Sequence, residues 1–273
     1  MRGVNLTGNI APVNPPARFN VLGTGISALS LTQATEFVVA ARGQKHLGYI
    51  SHATAYGVNA ARRDPAFRAA LNGSVRTHPD GMPLVWLGRW HGHKEITRVY
   101  GPDLMAAVCD AGRATGLRHF FFGGVPGVAE LLKTKLTERF PGLEVVGTYS
   151  PPFRELTPGE FTRLQFQVAA TQPDIVWVGL SSPKQEFFMA KYSAQLDAAL
   201  LIGVGAAFDF HSGRVNQAPL WMQRSGLEWL FRLYTEPRRL WKRYVVGVPL
   251  FLLRTFLQLI GLKKYELTTN QHE

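Results

Sequence analysis

The polar residues best placed for chemistry in this chain stand singly, each just after a short apolar run. Asp80-Gly81 follows VRTH at 75–78 and precedes Met82-Pro83. A carboxylate at a strand terminus can take a proton from a hydroxyl nucleophile, which is the work of a general base. The same aspartate could instead cap a helix, because Pro83 suits a first helical turn. His52 and Thr54 close the run LGYISHA at 47–53 and stand where a ligand would bind, or where a plain loop would sit. Phe122-Gly123-Gly124 ends another run. Two glycines there let backbone amides approach an anion at a helix N-terminus, although a simple turn uses the same residues. Pro183-Lys184-Gln185-Glu186 follows DIVWVGL at 174–180. The amide of Gln185 donates and accepts, which suits sugar hydroxyls, while Glu186 favours a helix N-terminus. Asp209, between Phe208 and Phe210, is either a buried cap or a ligand group.

Other signatures are weak or missing. Gly23-Thr24-Gly25-Ile26-Ser27-Ala28 matches G-x-G-x-x-A, a dinucleotide fingerprint. The next run ends Ile50-Ser51-His52-Ala53, without the acid that would hold a ribose, so a tight strand-to-helix turn is the stronger expectation. The sequence has no D-x-D, no H-E-x-x-H, no G-x-x-x-x-G-K-[ST] and no G-x-S-x-G. It has no modular nucleic-acid motif either, so nucleic acid is not an expected partner.

The elements that must position these residues alternate. Strands are expected at 19–23, 47–53, 75–78, 118–122, 144–149, 174–180 and 199–205. Helices are expected at 31–42, 55–72, 83–90, 102–115, 126–139, 158–171 and 184–195. Thr157-Pro158 reads as N-cap plus first-turn proline, with Glu160 behind it, and Gly116 reads as a helix stop. Nearly all-apolar strands separated by helices predict an α/β fold: a doubly wound, mainly parallel sheet covered on both faces. Its ligands belong at the carboxyl ends of the strands, where every residue named above falls.

The chain has 273 residues, with 46 % apolar and 18 % charged, which excludes a largely disordered protein. The single cysteine excludes an internal disulfide framework and points to a reducing cytosol. The net charge of +11 calls for an anionic partner. That charge is concentrated: residues 214–273 hold 10 basic and 4 acidic side chains. We expect a flexible arm at 1–18 with no signal peptide, an α/β domain at 19–213, and a basic helical appendage at 214–273. Segment 245–262 approaches the length of a membrane span, but Arg254 sits at its middle. Arg254, Thr255 and Gln258 share one helical face, with Leu252, Leu253, Phe256, Leu257 and Ile260 opposite. That suits a helix lying in an anionic membrane interface; a helix docked on protein is the alternative.

Several segments together resemble the WecG/TagA/CpsF family of bacterial glycosyltransferases. They are DGMPLVW at 80–86, RVYGPDLM at 98–105, FFFGG at 120–124, GLSSPKQE at 179–186, GVGAAFDFHSG at 203–213 and APLWMQRSGLEWLFRLYTEPRRLWKRY at 218–244. The resemblance implies transfer of a hexose or N-acetylhexosamine from a UDP-sugar donor to a polyprenyl-diphosphate-linked acceptor, at the cytoplasmic face of the membrane, in surface or exopolysaccharide synthesis. It implies inversion without a metal or other cofactor. It makes Asp80 the general base and Gln185 a sugar contact. It also offers Arg98 and, in the appendage, Arg232, Arg238 and Arg239 as substrate contacts. His52 and Thr54 stand where many members carry T-x-N, and Ser27 replaces a frequent aspartate.

The expected mechanism is a single displacement. Asp80 takes the acceptor proton, while arginines and the Gly123-Gly124 amides steady the departing diphosphate. The rival readings are a non-catalytic scaffold in a membrane polysaccharide complex and an NAD-dependent oxidoreductase. The donor sugar and a homo-oligomeric state are left open.

Overall fold

The computed structural model describes residues 16–267 apart from 220, 223–224, 236 and 242–244. The arm expected at 1–18 lies outside the described residues except at its end, where Arg18 already belongs to a strand.

Six of the expected strands form one sheet, and every pairing in it is parallel. They follow a short hairpin of β1 (Arg18–Val21) and β2 (Thr24–Ser27). The six are β3 (Gly48–Ala53), β4 (Arg76–Pro79), β5 (Arg118–Gly123), β6 (Glu144–Tyr149), β7 (Ile175–Gly179) and β8 (Leu200–Gly203). Their spatial order is β4-β3-β8-β7-β5-β6. The chain leaves β3 towards β4 and returns at the end to lay β8 on the other flank of β3. The crevice between β3 and β8 is therefore a topological switch point, where doubly wound sheets bind ligands.

Strand residues alternate between two cores, as the period of two demands. Phe120, Phe122, Val176, Val178 and Leu201 pack against Phe161, Leu164 and Phe188 on one face. Phe121, Trp177 and Ile202 pack against Leu104, Val108, Leu132 and Leu136 on the other. The covering helices are α1 (Leu31–Val39), α2 (Ala55–Ala61), α3 (Pro65–Asn72), α4 (Met82–Trp90), α5 (Gly101–Gly112), α6 (Val128–Arg139), α7 (Pro158–Thr171) and α8 (Lys184–Tyr192). Thr157 and Glu160 form the expected capping box on α7. Gly116 ends a 3-10 turn at Arg113–Thr115 in the left-handed conformation.

Two expectations need correction. The run 19–23 does not enter the parallel sheet, and Gly23–Ala28 is not a strand-to-helix turn. Val21 pairs with Thr24 across a two-residue hairpin turn, Leu22-Gly23. Both turn residues take positive φ, 52° and 88°, which matches the strand twist of a type I′ hairpin. A backbone in this form cannot wrap a dinucleotide, which removes the basis for the oxidoreductase reading. The helix expected over 55–72 is two helices. Pro65 disfavours a helical Asp64, which stands at φ −119° and caps α3 by accepting from the Phe67 amide at 3.0 Å.

After β8 come α9 (Ala207–His211), α10 (Glu228–Thr235), α11 (Pro237–Trp241) and α12 (Gly247–Leu259). Helix α12 docks on the hairpin and α2. The Gln258 amide accepts from the Leu22 N–H at 2.9 Å and donates to the Asn20 carbonyl at 3.0 Å. Arg254 donates to the Asn59 side chain at 2.8 Å, and Asn59 donates to the Gly247 carbonyl at 2.8 Å. Phe251 is fully buried in a third core with Phe19, Leu22, Val58 and Leu84. No described helix is long and apolar enough to cross a membrane.

Candidate active site

The carboxyl ends of β3, β4, β5, β7 and β8 gather the expected residues along one edge of the sheet. Asp80 follows β4 directly, and its amide donates to the Ala53 carbonyl at the end of β3, at 2.9 Å. It is not the N-cap of α4. Gly81 takes the N-cap position at φ 123°, a conformation reserved for glycine. The half-buried Asp80 is thus placed at the sheet edge, one residue before the N-cap position that the sequence offered it.

Arg98 stands over it. The Val99 amide donates to the Pro79 carbonyl at 3.0 Å, so the chain crosses the end of β4 and delivers Arg98 beside Asp80. The guanidinium bonds Glu228 of α10 at 2.5 Å and lies 4.1 Å from the centre of the Tyr100 ring. Burial works against its charge, but the carboxylates of Asp80 and Glu228 outweigh it and hold its pKa above the usual value. Asp103, in the first turn of α5, belongs to the same field. Burial raises its pKa, and Arg98 only partly offsets that. Glu228 and Asp103 were not singled out from the sequence. Glu228 lies 130 positions from Arg98, and no spacing rule links them.

The switch-point crevice holds His52 and Gln185. Gln185 is buried; its carbonyl oxygen accepts from the Gly205 amide at 3.0 Å, and its amide nitrogen donates to Glu186 at 3.0 Å. Glu186 is fully buried, and desolvation raises its pKa. His52 Nδ1 lies 2.9 Å from the Gly203 carbonyl, and its Nε2 lies 3.3 Å from Nδ1 of buried His78. A carbonyl only accepts, so Nδ1 of His52 carries the proton, and His78 donates to Nε2. Burial pushes the His52 pKa down to about 4 and lowers that of His78 as well, so both stay neutral at pH 7. Both nitrogens of His52 are engaged within the protein. The geometry makes His52 a tie between β3 and β8, and His78, which no sequence pattern marks, is the group that orients it. Thr54 caps α2 by accepting from the Gly57 amide at 3.0 Å.

The remaining expected residues divide. Gly123 and Gly124 do end β5 beside β7, at φ 139° and 73°. A Cβ at Gly123 would lie 2.6 Å from the Gly179 carbonyl oxygen, so close backbone approach explains that glycine. The Gly124 amide donates to the same carbonyl at 3.1 Å and is therefore not free to cradle a diphosphate. Asp209 is neither buried nor a cap of α9; it is half-exposed and faces Arg214 at 3.5 Å. Arg238 is exposed on α11. The side chains of Arg232 and Arg239 lie outside the described residues.

Comparison with known proteins places the whole chain. The model of the Glycosyl transferase WecG/TagA/CpsF family matches residues 19–265, and the chain belongs to that family. A Bacillus spizizenii protein named N-acetylglucosaminyldiphosphoundecaprenol N-acetyl-beta-D-mannosaminyltransferase is 33 % identical over 69 % of this chain and 71 % of its own. A Bacillus subtilis protein of the same name is 31 % identical over 71 % of this chain and 73 % of its own. The chain is a glycosyltransferase that shares its α/β sheet with the site just described.

Proposed function

We propose that this family member transfers a hexose or N-acetylhexosamine from a UDP-sugar to a sugar carried on polyprenyl diphosphate, with inversion, in the synthesis of a surface or exopolysaccharide. The observation that carries the reading is Asp80: a half-buried carboxylate at the end of β4, coupled to Arg98, which Glu228 holds in turn. In a single displacement Asp80 takes the proton from the acceptor hydroxyl as that oxygen attacks the anomeric carbon. Positive charge at the departing diphosphate offsets what develops there. Arg98 is the described cation whose charge is coupled to Asp80, and the appendage arginines Arg232, Arg238 and Arg239 are the further candidates. Gln185, pinned by Gly205 and Glu186, presents a fixed amide at the crevice floor, suited to a donor sugar hydroxyl. His52 and Thr54 shape the crevice wall through their bonds to Gly203 and α2.

The appendage supports a peripheral place on the inner face of the membrane. Its polar residues Arg254, Thr255 and Gln258 point into the protein, while Leu252, Leu253 and Phe256 of α12 and Ile260 at its C-cap point outwards. An outward apolar stripe with basic flanks fits an anionic lipid surface.

The names of the relatives set the first reagents. Purified protein is given UDP-N-acetylmannosamine and other UDP-sugars, with N-acetylglucosaminyl-diphosphoundecaprenol as acceptor, and UDP release is followed with and without EDTA. Acceptor-dependent release that persists in EDTA is expected. Asp80→Asn should lower turnover by about 10²–10⁴, the usual share of a general base. A loss below about fivefold in folded protein removes Asp80 from that role.

A further inference from the structure

A groove runs along the outside of α4, the helix that begins directly after the Asp80-Gly81 pair. One wall is Pro83, Trp86 and Trp90 of α4; the other is Phe251, Leu252 and Leu259 of α12. It encloses about 180 Å³. Trp86, Trp90 and Leu252 are 53 %, 75 % and 51 % exposed, a large apolar surface for neighbouring helices to leave open. The one hydroxyl in the lining, on Thr255, bonds the Phe251 carbonyl at 3.0 Å, so it is already satisfied within its own helix.

We propose that this groove seats the first isoprene units of the acceptor's polyprenyl chain, and so is a lipid subsite of the active site; the proposal rests on the polyprenyl-linked acceptor of the proposed function. Three observations favour this occupant. The first is continuity. The acceptor hydroxyl must reach Asp80, and the lipid is attached to that same sugar through the diphosphate, so the chain has to leave the site close by. Pro83, in the lining of the groove, stands only three residues after Asp80, in the first turn of α4. The segment before α10 lies against its near end, where a Cβ at Gly226 would sit 3.4 Å from Met82 and 3.9 Å from Trp86. The second is size. A cavity of about 150 Å³ takes benzene, so this one has room for a five-carbon unit while its open side lets a chain continue. The third is the exit. Leu253, Phe256 and Ile260 extend the apolar surface from the rim of the groove along α12. A hydrocarbon can pass from a bilayer to the groove over that surface without crossing water.

The test compares two acceptors that differ only in the lipid: N-acetylglucosaminyl-diphosphoundecaprenol in detergent micelles, and the same sugar diphosphate on a butyl group. Trp90→Ser and Leu252→Ser remove exposed walls and leave the buried core intact. In each variant kcat/KM for the long-chain acceptor should fall about tenfold or more, as expected for losing several buried methylene contacts. The value for the butyl acceptor should change less than about twofold. Equal loss on both acceptors, or no loss on either, overturns the lipid subsite. A defect that appears in vesicles and vanishes in micelles also overturns it, making the groove a bilayer contact. If the wild-type protein turns over neither acceptor, the transferase reading has failed instead. The groove is then decided without turnover, by cross-linking with a benzophenone-bearing isoprenoid diphosphate. Labelling of the peptides that carry Trp86 and Leu252 supports it, and labelling elsewhere rejects it.

Discussion

The ion pair between Arg98 and Glu228 ties a C-terminal helix to the cation coupled to the candidate base, and breaking it tests the arrangement most directly. The two side chains are 15 % and 12 % exposed and meet at 2.5 Å. Opposite charges about 4 Å apart attract by roughly 4 kcal/mol at an effective dielectric of 20, and desolvation takes back part of that. A net coupling of about 2–3 kcal/mol is a reasonable expectation for so buried a pair. Glu228→Gln keeps the shape and one hydrogen bond and removes the charge. It therefore weakens the docking of α10 over the site by about 2 kcal/mol, or roughly thirtyfold in the equilibrium. It also leaves Asp80 to take more of the Arg98 charge. A carboxylate engaged more tightly by a guanidinium is a poorer base. We expect kcat/KM to drop about 10- to 30-fold, and amide exchange at 228–235 to speed up by a similar factor. A double-variant cycle with Arg98→Gln isolates the pair. Coupling below about 0.5 kcal/mol would refute the claim that this contact organises the site.

Two further predictions concern pH. His52 and His119 are buried, and burial holds both pKa values down to about 4. Nδ1 of His119 accepts from the Trp177 indole at 2.9 Å, a bond that protonation would break. The unfolded chain binds more protons than the folded one between about pH 6.5 and pH 4, so stability falls as the pH drops through that window. The loss is roughly 3 kcal/mol per histidine, and urea melts at pH 7, 5.5 and 4.5 would show it; a flat profile would contradict the assignment. Glu186 has the opposite sign. Its folded pKa is raised by burial, so the stability it contributes is present below the unfolded value and lost as the pH rises towards the folded one. Glu186→Gln should gain on the wild type in thermal melts as the pH rises above the ordinary carboxylate range, and a difference that stays constant with pH would sink the idea.

The sequence made the sheet legible because its strands are apolar on both faces and its helices carry caps such as Thr157, Pro158 and Glu160. The candidate site was legible for the same reason: in a doubly wound sheet, polar residues directly after a strand fall on one edge. Position in the chain did not reveal what each polar group is already doing. Thr54 and His52 read equally as ligand groups or as satisfied loop residues; the fold engages Thr54 as a cap and His52 as a tie whose orienting partner, His78, lies 26 positions away. The glycines after β5 suited an anion cradle and a plain turn equally, and the Gly179 carbonyl occupies the Gly124 amide, as a turn would have it. The hairpin was missed because an apolar run followed by G-x-G satisfies two backbones. What separates them is positive φ at Leu22 and Gly23, which only the partner strand imposes.

Helix α12 meets the same limit in its sharpest form. Periodicity sorted its residues into two faces correctly, but a period cannot say which face meets the protein. Burying the apolar face is the default for a helix on a globular surface. Here the docking bonds run from the polar face: Gln258 to the hairpin, Arg254 to Asn59, with Phe251 alone reaching the core. Leu252, Leu253, Phe256 and Ile260 are each about half-exposed as a result. Hydrogen bonds on the inner side hold the helix in this orientation at a modest net gain of about 1 kcal/mol each. Covering the outer side is worth more, about 1.5–3 kcal/mol for each large apolar side chain fully removed from water. Among the described residues nothing covers that outer side, so the stripe is the feature that the proposed placement of α12 against lipid explains.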